Sequence, residues 1–234
     1  VMSDESSLVV GGKFSTQEQF PWIASIFVEK NGTFQHFGSG SLISNRHVTS
    51  KASSVGFIDD QNFYKAYKTH NVKIYLGMSE FQKSEEPGVV KIGVQKITIY
   101  PKAQNIIPPV FDVAIITLNQ LIPHSTIIFP VCLKTFNERN DAGQTAFSVG
   151  FGFDQSRTFT GVKKYVQMTI DNDKQCSSVY EDRLSDGKLS KYFCASENNG
   201  NGPFRGDHPL YMKVDGKWFL RGMMSMFNLF SNRT

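Results

Sequence analysis

An apolar period of two recurs along nearly the whole of this chain. It runs through Trp22, Ala24, Ile26 and Val28, then Val72, Ile74 and Leu76, then Val90, Ile92 and Val94 with Ile97 and Ile99 beyond. It returns in Thr145, Phe147, Val149 and Phe151, in Val166, Met168 and Ile170, and in Leu210, Met212 and Val214 followed by Trp218, Leu220 and Met224. Successive side chains of a strand point to opposite faces, so this pattern asks for half-buried strands. Asp215-Gly216 separates two such runs, and Asn31-Gly32 closes another. Both residues of such a pair tolerate positive φ, which a two-residue hairpin turn requires. The run 113–118 is nearly all apolar and reads as a strand buried on both faces. The best helical stretch is short, around 173–184. Many short strands punctuated by Gly, Pro and Asn mean a sandwich or a barrel. Residues 119–135 hold Pro123 and Pro130, which disfavour a long helix, and read as a crossing segment between two halves.

Composition narrows the function classes. A chain of 234 residues with 40% hydrophobic content and 20 Phe buries a substantial core and is not disordered. Its net charge of +4 is spread along the sequence, with no dense basic run of the kind a nucleic-acid binder carries. No apolar run approaches the length of a membrane span. The polar, acidic start is no signal peptide and reads as the remnant, 1–8, of a longer precursor. Three cysteines allow one disulfide and one leftover thiol, or none.

Four blocks, in order, resemble the trypsin/chymotrypsin family of serine proteases. They are Val9-Val10-Gly11-Gly12 with Phe20-Pro21-Trp22; Gly40-Ser41-Leu42-Ile43-Ser44 through Val48; Phe111-Asp112-Val113-Ala114-Ile115-Ile116-Thr117-Leu118 with Pro130-Val131-Cys132-Leu133; and Phe193-Cys194-Ala195, Gly206-Asp207, Pro209-Leu210 and Trp218-Phe219-Leu220-Arg221-Gly222. The flavour is that of arthropod proteases of the gastrulation-defective type. The resemblance implies an all-β fold of two antiparallel six-stranded Greek-key barrels, 9–118 and 136–234, joined by the crossing segment, with the second barrel incomplete at its C-terminal end and one edge open.

The family's chemistry needs a nucleophilic Ser, a His base, an Asp that orients the His, and backbone N–H donors for the oxyanion. The family's His position falls here on Ser53, in Ser50-Lys51-Ala52-Ser53-Ser54. A hydroxyl is no base near neutral pH. His47 lies six residues earlier, roughly 20 Å away along a strand, and reads as a strand or surface residue. Asp112 matches the triad carboxylate, and without an imidazole it reads as a buried acid held by hydrogen bonds to backbone and to Ser53. The family's Gly-Asp-Ser-Gly-Gly-Pro-Leu run is Gly206-Asp207-His208-Pro209-Leu210 here, two residues shorter. His208 stands where the Ser belongs, and it reads more simply as a loop histidine than as a relocated base or a metal ligand. No metal or cofactor is expected.

Other departures concern activation and specificity. Leu8 precedes Val9, so a trypsin-like activator has no Lys or Arg to cut after, and the usual partner of the new amino terminus, Asp207, is expected to stay without one. The pocket floor falls on Gly202, with no acid to select Lys or Arg, and Phe204 replaces half of the family's pocket disulfide. The resemblance pairs Cys176 with Cys194. Cys132 matches the cysteine that tethers the family's domain to an upstream segment, which leaves an interchain disulfide or a free half-buried thiol as its fate. Asn31-Gly32-Thr33 and Asn232-Arg233-Thr234 fit the N-glycosylation pattern, with Asn31 on a turn tip the better candidate.

The expected function is a secreted, catalytically inactive homologue that binds a protease, a substrate protein or a surface ligand in a defence or developmental cascade, away from nucleic acid and membrane. Two alternatives stay open: an active endopeptidase with a rearranged site, using His208 with Ser53 or another Ser, and a truncated product without a function.

Overall fold

The computed structural model describes residues 12–103, 111–133, 141–153, 159–180, 192–197 and 208–224. Six strands close into a barrel: β2 (Ile23–Lys30), β3 (Thr33–Leu42), β4 (His47–Ser50), β7 (Val72–Leu76), β8 (Val90–Ile99) and β9 (Ala114–Leu118), in the order β2-β3-β4-β9-β8-β7. Two further short strands, β5 (Gly56–Ile58) and β6 (Tyr64–Ala66), form a ribbon beside it. The period of two supplies the barrel core: Ala24, Ile26, Val28, Ile74, Leu76 and Ile116 are all fully buried. β9 is a correction. Ala114, Ile116 and Leu118 are buried, but Ile115 and Thr117 are only half-buried, because a strand of a closed barrel keeps one face turned outward.

The second half is a six-stranded antiparallel sheet among the described residues. It contains β1 (Lys13–Phe14), β10 (Thr145–Phe153), β11 (Phe159–Ile170), β12 (Ala195–Ser196), β13 (Pro209–Val214) and β14 (Lys217–Met223), ordered β1-β11-β10-β13-β14 with β12 also on β11. The helix α1 (Asp173–Tyr180) follows β11, and its Asn172 Oδ1 accepts from the Gln175 backbone N–H as an N-cap. Ahead of the first barrel, Lys13 and Phe14 lie on the second sheet, where Lys13 faces Tyr165. Both Asx-Gly pairs make the expected hairpins: Asn31 and Gly32 have φ of 51° and 78°, and Asp215 and Gly216 have 49° and 76°.

The outer edge of β14 is not bare. Cys132, in the crossing segment, makes a parallel bridge with Phe219. Its N–H donates to the Trp218 carbonyl at 3.2 Å, and its carbonyl accepts from the Leu220 N–H at 3.0 Å.

An aromatic junction joins the halves. Phe20 packs at 5.3 Å from Trp218 and 5.4 Å from Tyr165, and Trp22 at 5.4 Å from Tyr211. Such ring pairs contribute about 0.5–1.5 kcal/mol each beyond the area they bury. The Tyr211 hydroxyl meets Ser41 Oγ at 2.6 Å, a buried hydrogen bond between the second sheet and β3. Lys163 fastens a third segment. Its ammonium, on a side chain only 1% exposed, donates to the carbonyls of Gln19 at 2.9 Å and Gln17 at 3.3 Å, while its own N–H reaches the Ser79 carbonyl at 2.7 Å. Burial pulls its pKa down to about 7, against an upward pull from the charge of Glu18.

Candidate functional site

Asp112 is delivered by a local backbone device. Phe111 takes a φ of 55°, and the Val113 N–H donates to the Phe111 carbonyl at 2.7 Å, closing a three-residue turn around Asp112 just ahead of β9. The acid is left 8% exposed. The second arm comes from β4, which closes tightly on β3: a Cβ on Gly40 would stand 2.7 Å from the Thr49 carbonyl, so only glycine fits. After β4 a 3₁₀ turn, Ala52–Ser54, presents Ser53 to the carboxylate.

Ser53 uses both of its donors there. Its backbone N–H donates to Asp112 Oδ1 and its hydroxyl to Oδ2, each at 2.8 Å. The Lys51 ammonium stands 3.7 Å from Oδ2, with the two side chains 14% and 5% exposed. The buried charge is therefore met by two charge-assisted hydrogen bonds and an ion pair, as a carboxylate out of water must be. Chemically this is a closed arrangement. The Ser53 proton points at a carboxylate, which is far too weak a base to generate an alkoxide from it.

Tyr192, from the second half, lies near enough to feel the charge of Asp112. Burial raises the pKa of its phenol, and the negative charge of Asp112 raises it further. Lys51, Phe111 and Tyr192 were not singled out from the sequence. The signal for Lys51 was adjacency to the triad-like block; Tyr192 had none, because it comes from the other half of the chain.

The other candidates stand on other elements. His47 opens β4 opposite Thr117, at the far end of the strand from Ser50, and its Nδ1 meets Ser44 Oγ at 2.9 Å. His208 is 7% exposed and lies immediately before β13, with its ring packed over Gly150 of β10. Its carbonyl accepts from the Met224 N–H at 3.0 Å. It belongs to the interior of the second sheet, whereas Ser53 and Asp112 belong to the first barrel.

Cys176 of α1 and Cys194 form a disulfide with Cα atoms 5.4 Å apart. Cys132 is a free thiol, and it is exposed rather than half-buried. Asn31 is exposed at its hairpin tip, and Thr33 Oγ1 donates to the Lys30 carbonyl at 3.0 Å. Val9, Gly202, Phe204, Asp207 and Asn232 lie outside the described residues. Among the described residues no three His, Cys, Asp or Glu side chains converge as metal ligands, and no helix is long and apolar enough to cross a membrane.

Known proteins agree with this architecture. The family model described as Trypsin matches residues 9–225. Over 230 residues the chain is 28% identical to the CLIP domain-containing serine protease B4 of Anopheles gambiae, covering 93% of this chain and 62% of that protein. It is 24% identical to phenoloxidase-activating factor 1 of Holotrichia diomphalia, covering 94% and 63% respectively. It is also 24% identical to the serine protease gd of Drosophila melanogaster, covering 90% and 44%. The chain thus spans less than two thirds of the length of these relatives. With a family match running from the first strand block to the edge of β14, the chain belongs to the trypsin family.

Proposed function

We propose that this trypsin-family domain has no peptidase activity and serves as an extracellular binding or regulatory module in a protease cascade. The observation that carries the proposal is the pairing of Ser53 with both oxygens of Asp112. In a working member of the family that carboxylate orients an imidazole, which takes the proton of the nucleophile. Here a serine side chain and a lysine hold it instead, and the His208 ring packs over Gly150 of β10. Loss of both base and nucleophile removes nearly all of the transition-state stabilisation that such a site provides. Relatives named as phenoloxidase-activating factors support the cascade setting. In this reading the partner is a protein, either a protease, its substrate or a surface ligand. The exposed thiol of Cys132 is then free to pair with a cysteine of another chain, and Asn31 and Asn232 carry glycans.

The test is a comparison with trypsin on a broad fluorogenic peptide library and with a serine-directed fluorophosphonate label. The expected result is neither turnover nor label. Turnover that disappears in Ser53→Ala or His208→Ala would overturn the proposal in favour of a rearranged active site.

A further inference from the structure

The net charge of +4 is dispersed along the sequence, yet closure of the first barrel gathers cations onto one of its faces. On β7 and β8 the barrel core takes Val72, Ile74, Leu76, Ile92 and Val94, so Lys73, Lys91 and Gly93 face away from it, together with Tyr75, which is itself covered to 8% exposure. Lys73 is paired with Gly93 and Lys91 with Tyr75, which sets the two lysines on the same face of adjacent strands, about 7–8 Å apart on the diagonal. The same register carried two steps further brings the 3₁₀ turn Thr69–Asn71 alongside Gln95. That turn carries His70, with Lys68 just before it, and a bulge between Val94 and Lys96 leaves both Gln95 and Lys96 exposed. Arg46 joins the row from β4's approach, its Nη2 donating to Gln95 Oε1 at 2.8 Å.

The row runs roughly 20 Å along the ladder at strand spacing. Its fixed cations are Lys68, Lys73, Lys91, Lys96 and Arg46. The acids beside it are Glu29, on the neighbouring β2, and Glu85, whose charge acts on Lys91. At the middle of the face Gly93 makes room for the Asn119 side chain, whose Nδ2 would stand 2.8 Å from a Cβ there. Protein–protein contacts draw their energy from aromatic or aliphatic anchors at the centre of the interface. The large exposed apolar side chains, including Phe57, Tyr100, Phe111, Leu121 and Phe129, lie on other elements. The aromatic rings of this face, Phe34 and Tyr75, lie beneath the ammonium groups of Lys73 and Lys91 at 4.1 and 5.5 Å, so the row presents cations rather than an apolar anchor and suits a linear polyanion, which binds by charge and releases its counterions without needing a pocket.

We propose that the β7–β8 face of the first barrel binds a sulfated polysaccharide chain. The test uses heparin as the probe and titrates the full chain at a series of salt concentrations. With five cations engaged, log K falls against log salt with a slope of about −3.5. Lys91→Glu combined with Lys96→Glu, both exposed and outside the core, weakens binding at least tenfold and flattens the slope by about 1 to 2. Lys213→Glu with Lys217→Glu, on β13 and β14, leaves binding unchanged, and matching thermal midpoints show that each variant is folded. Equal weakening by the β13–β14 pair would mean diffuse charge and overturn the proposal. So would polyglutamate binding as tightly as heparin through Lys91 and Lys96, which would make the face a surface for acidic polypeptide. None of these readouts involves hydrolysis, so they stand or fall separately from the proposed lack of peptidase activity.

Discussion

The backbone amide and the hydroxyl of Ser53 each take one oxygen of Asp112, both at 2.8 Å. A residue that satisfies a buried acid this completely is structural cement, and its removal should register as lost stability. Ser53→Ala deletes the hydroxyl bond but keeps the amide bond, and Ser53 is half-buried, so water can enter. A loss of about 1–2 kcal/mol is expected, read as a lower urea midpoint with an unchanged m-value. Ser53→His sets an imidazole against Asp112 without supplying a nucleophile, and peptide turnover should remain absent.

Lys163 makes stability depend on pH in an uncommon direction. Its folded pKa of about 7 lies below the ordinary lysine value of 10.5. Between these values the unfolded chain binds the proton more tightly than the folded one, so stability rises with pH from about 7 to about 10.5. Below pH 7 both states carry the proton and this contribution is flat. The full swing is on the order of 5 kcal/mol. Lys163→Met should remove the slope, and a wild-type minus variant difference in unfolding free energy that stays constant across pH 7–10 would refute the assignment.

The Cys176–Cys194 bridge closes a loop with a sequence separation of 18. The chain-entropy account gives it about 3 kcal/mol. The Cys176→Ser, Cys194→Ser double variant should lose that amount in chemical denaturation, with Cys132 left as a thiol in both proteins.

Tyr211→Phe tests the link between the halves. Tyr211 and Ser41 are both fully buried, and burial pushes the phenol far above its usual pKa despite the bond from Ser41. Without the phenol oxygen, Ser41 Oγ loses that partner in a dry site, at a cost of about 1–3 kcal/mol. A double-mutant cycle with Ser41→Ala should show coupling between the two positions.

Secretion from a eukaryotic host should put a glycan on Asn31. The mass shift should vanish in Asn31→Gln and on treatment with an amidase that removes N-glycans, whereas an unshifted wild-type band would remove Asn31 from consideration.

Local rules carried the hairpins and the strands. Asn31-Gly32 and Asp215-Gly216 can be read from two residues each, since the turn demands positive φ and little else competes. The β9 run misled because apolar composition cannot tell a strand with two covered faces from one in a closed barrel, where Ile115 and Thr117 stay half-buried. Asp112 and Ser53 were legible through the family pattern, 59 residues apart in sequence. Tyr192 and the cation row were not. Each depends on which strands become neighbours, and β7 and β8 meet only after a long excursion through residues 77–89. The pairing of Cys176 with Cys194 rested on the resemblance alone, since three cysteines allow three different single bridges.

The contact between Cys132 and β14 bears on what that edge of the sheet can recruit. A sheet whose last strand is free offers its hydrogen-bonding row to any extended chain, including another copy of itself. Here the Trp218 carbonyl and the Leu220 amide, in the middle of that row, are already answered by the crossing segment. An incoming strand would have to peel away the very stretch of chain that connects the two halves before it could add itself. The segment that joins the two halves therefore doubles as a guard against fibrous self-association.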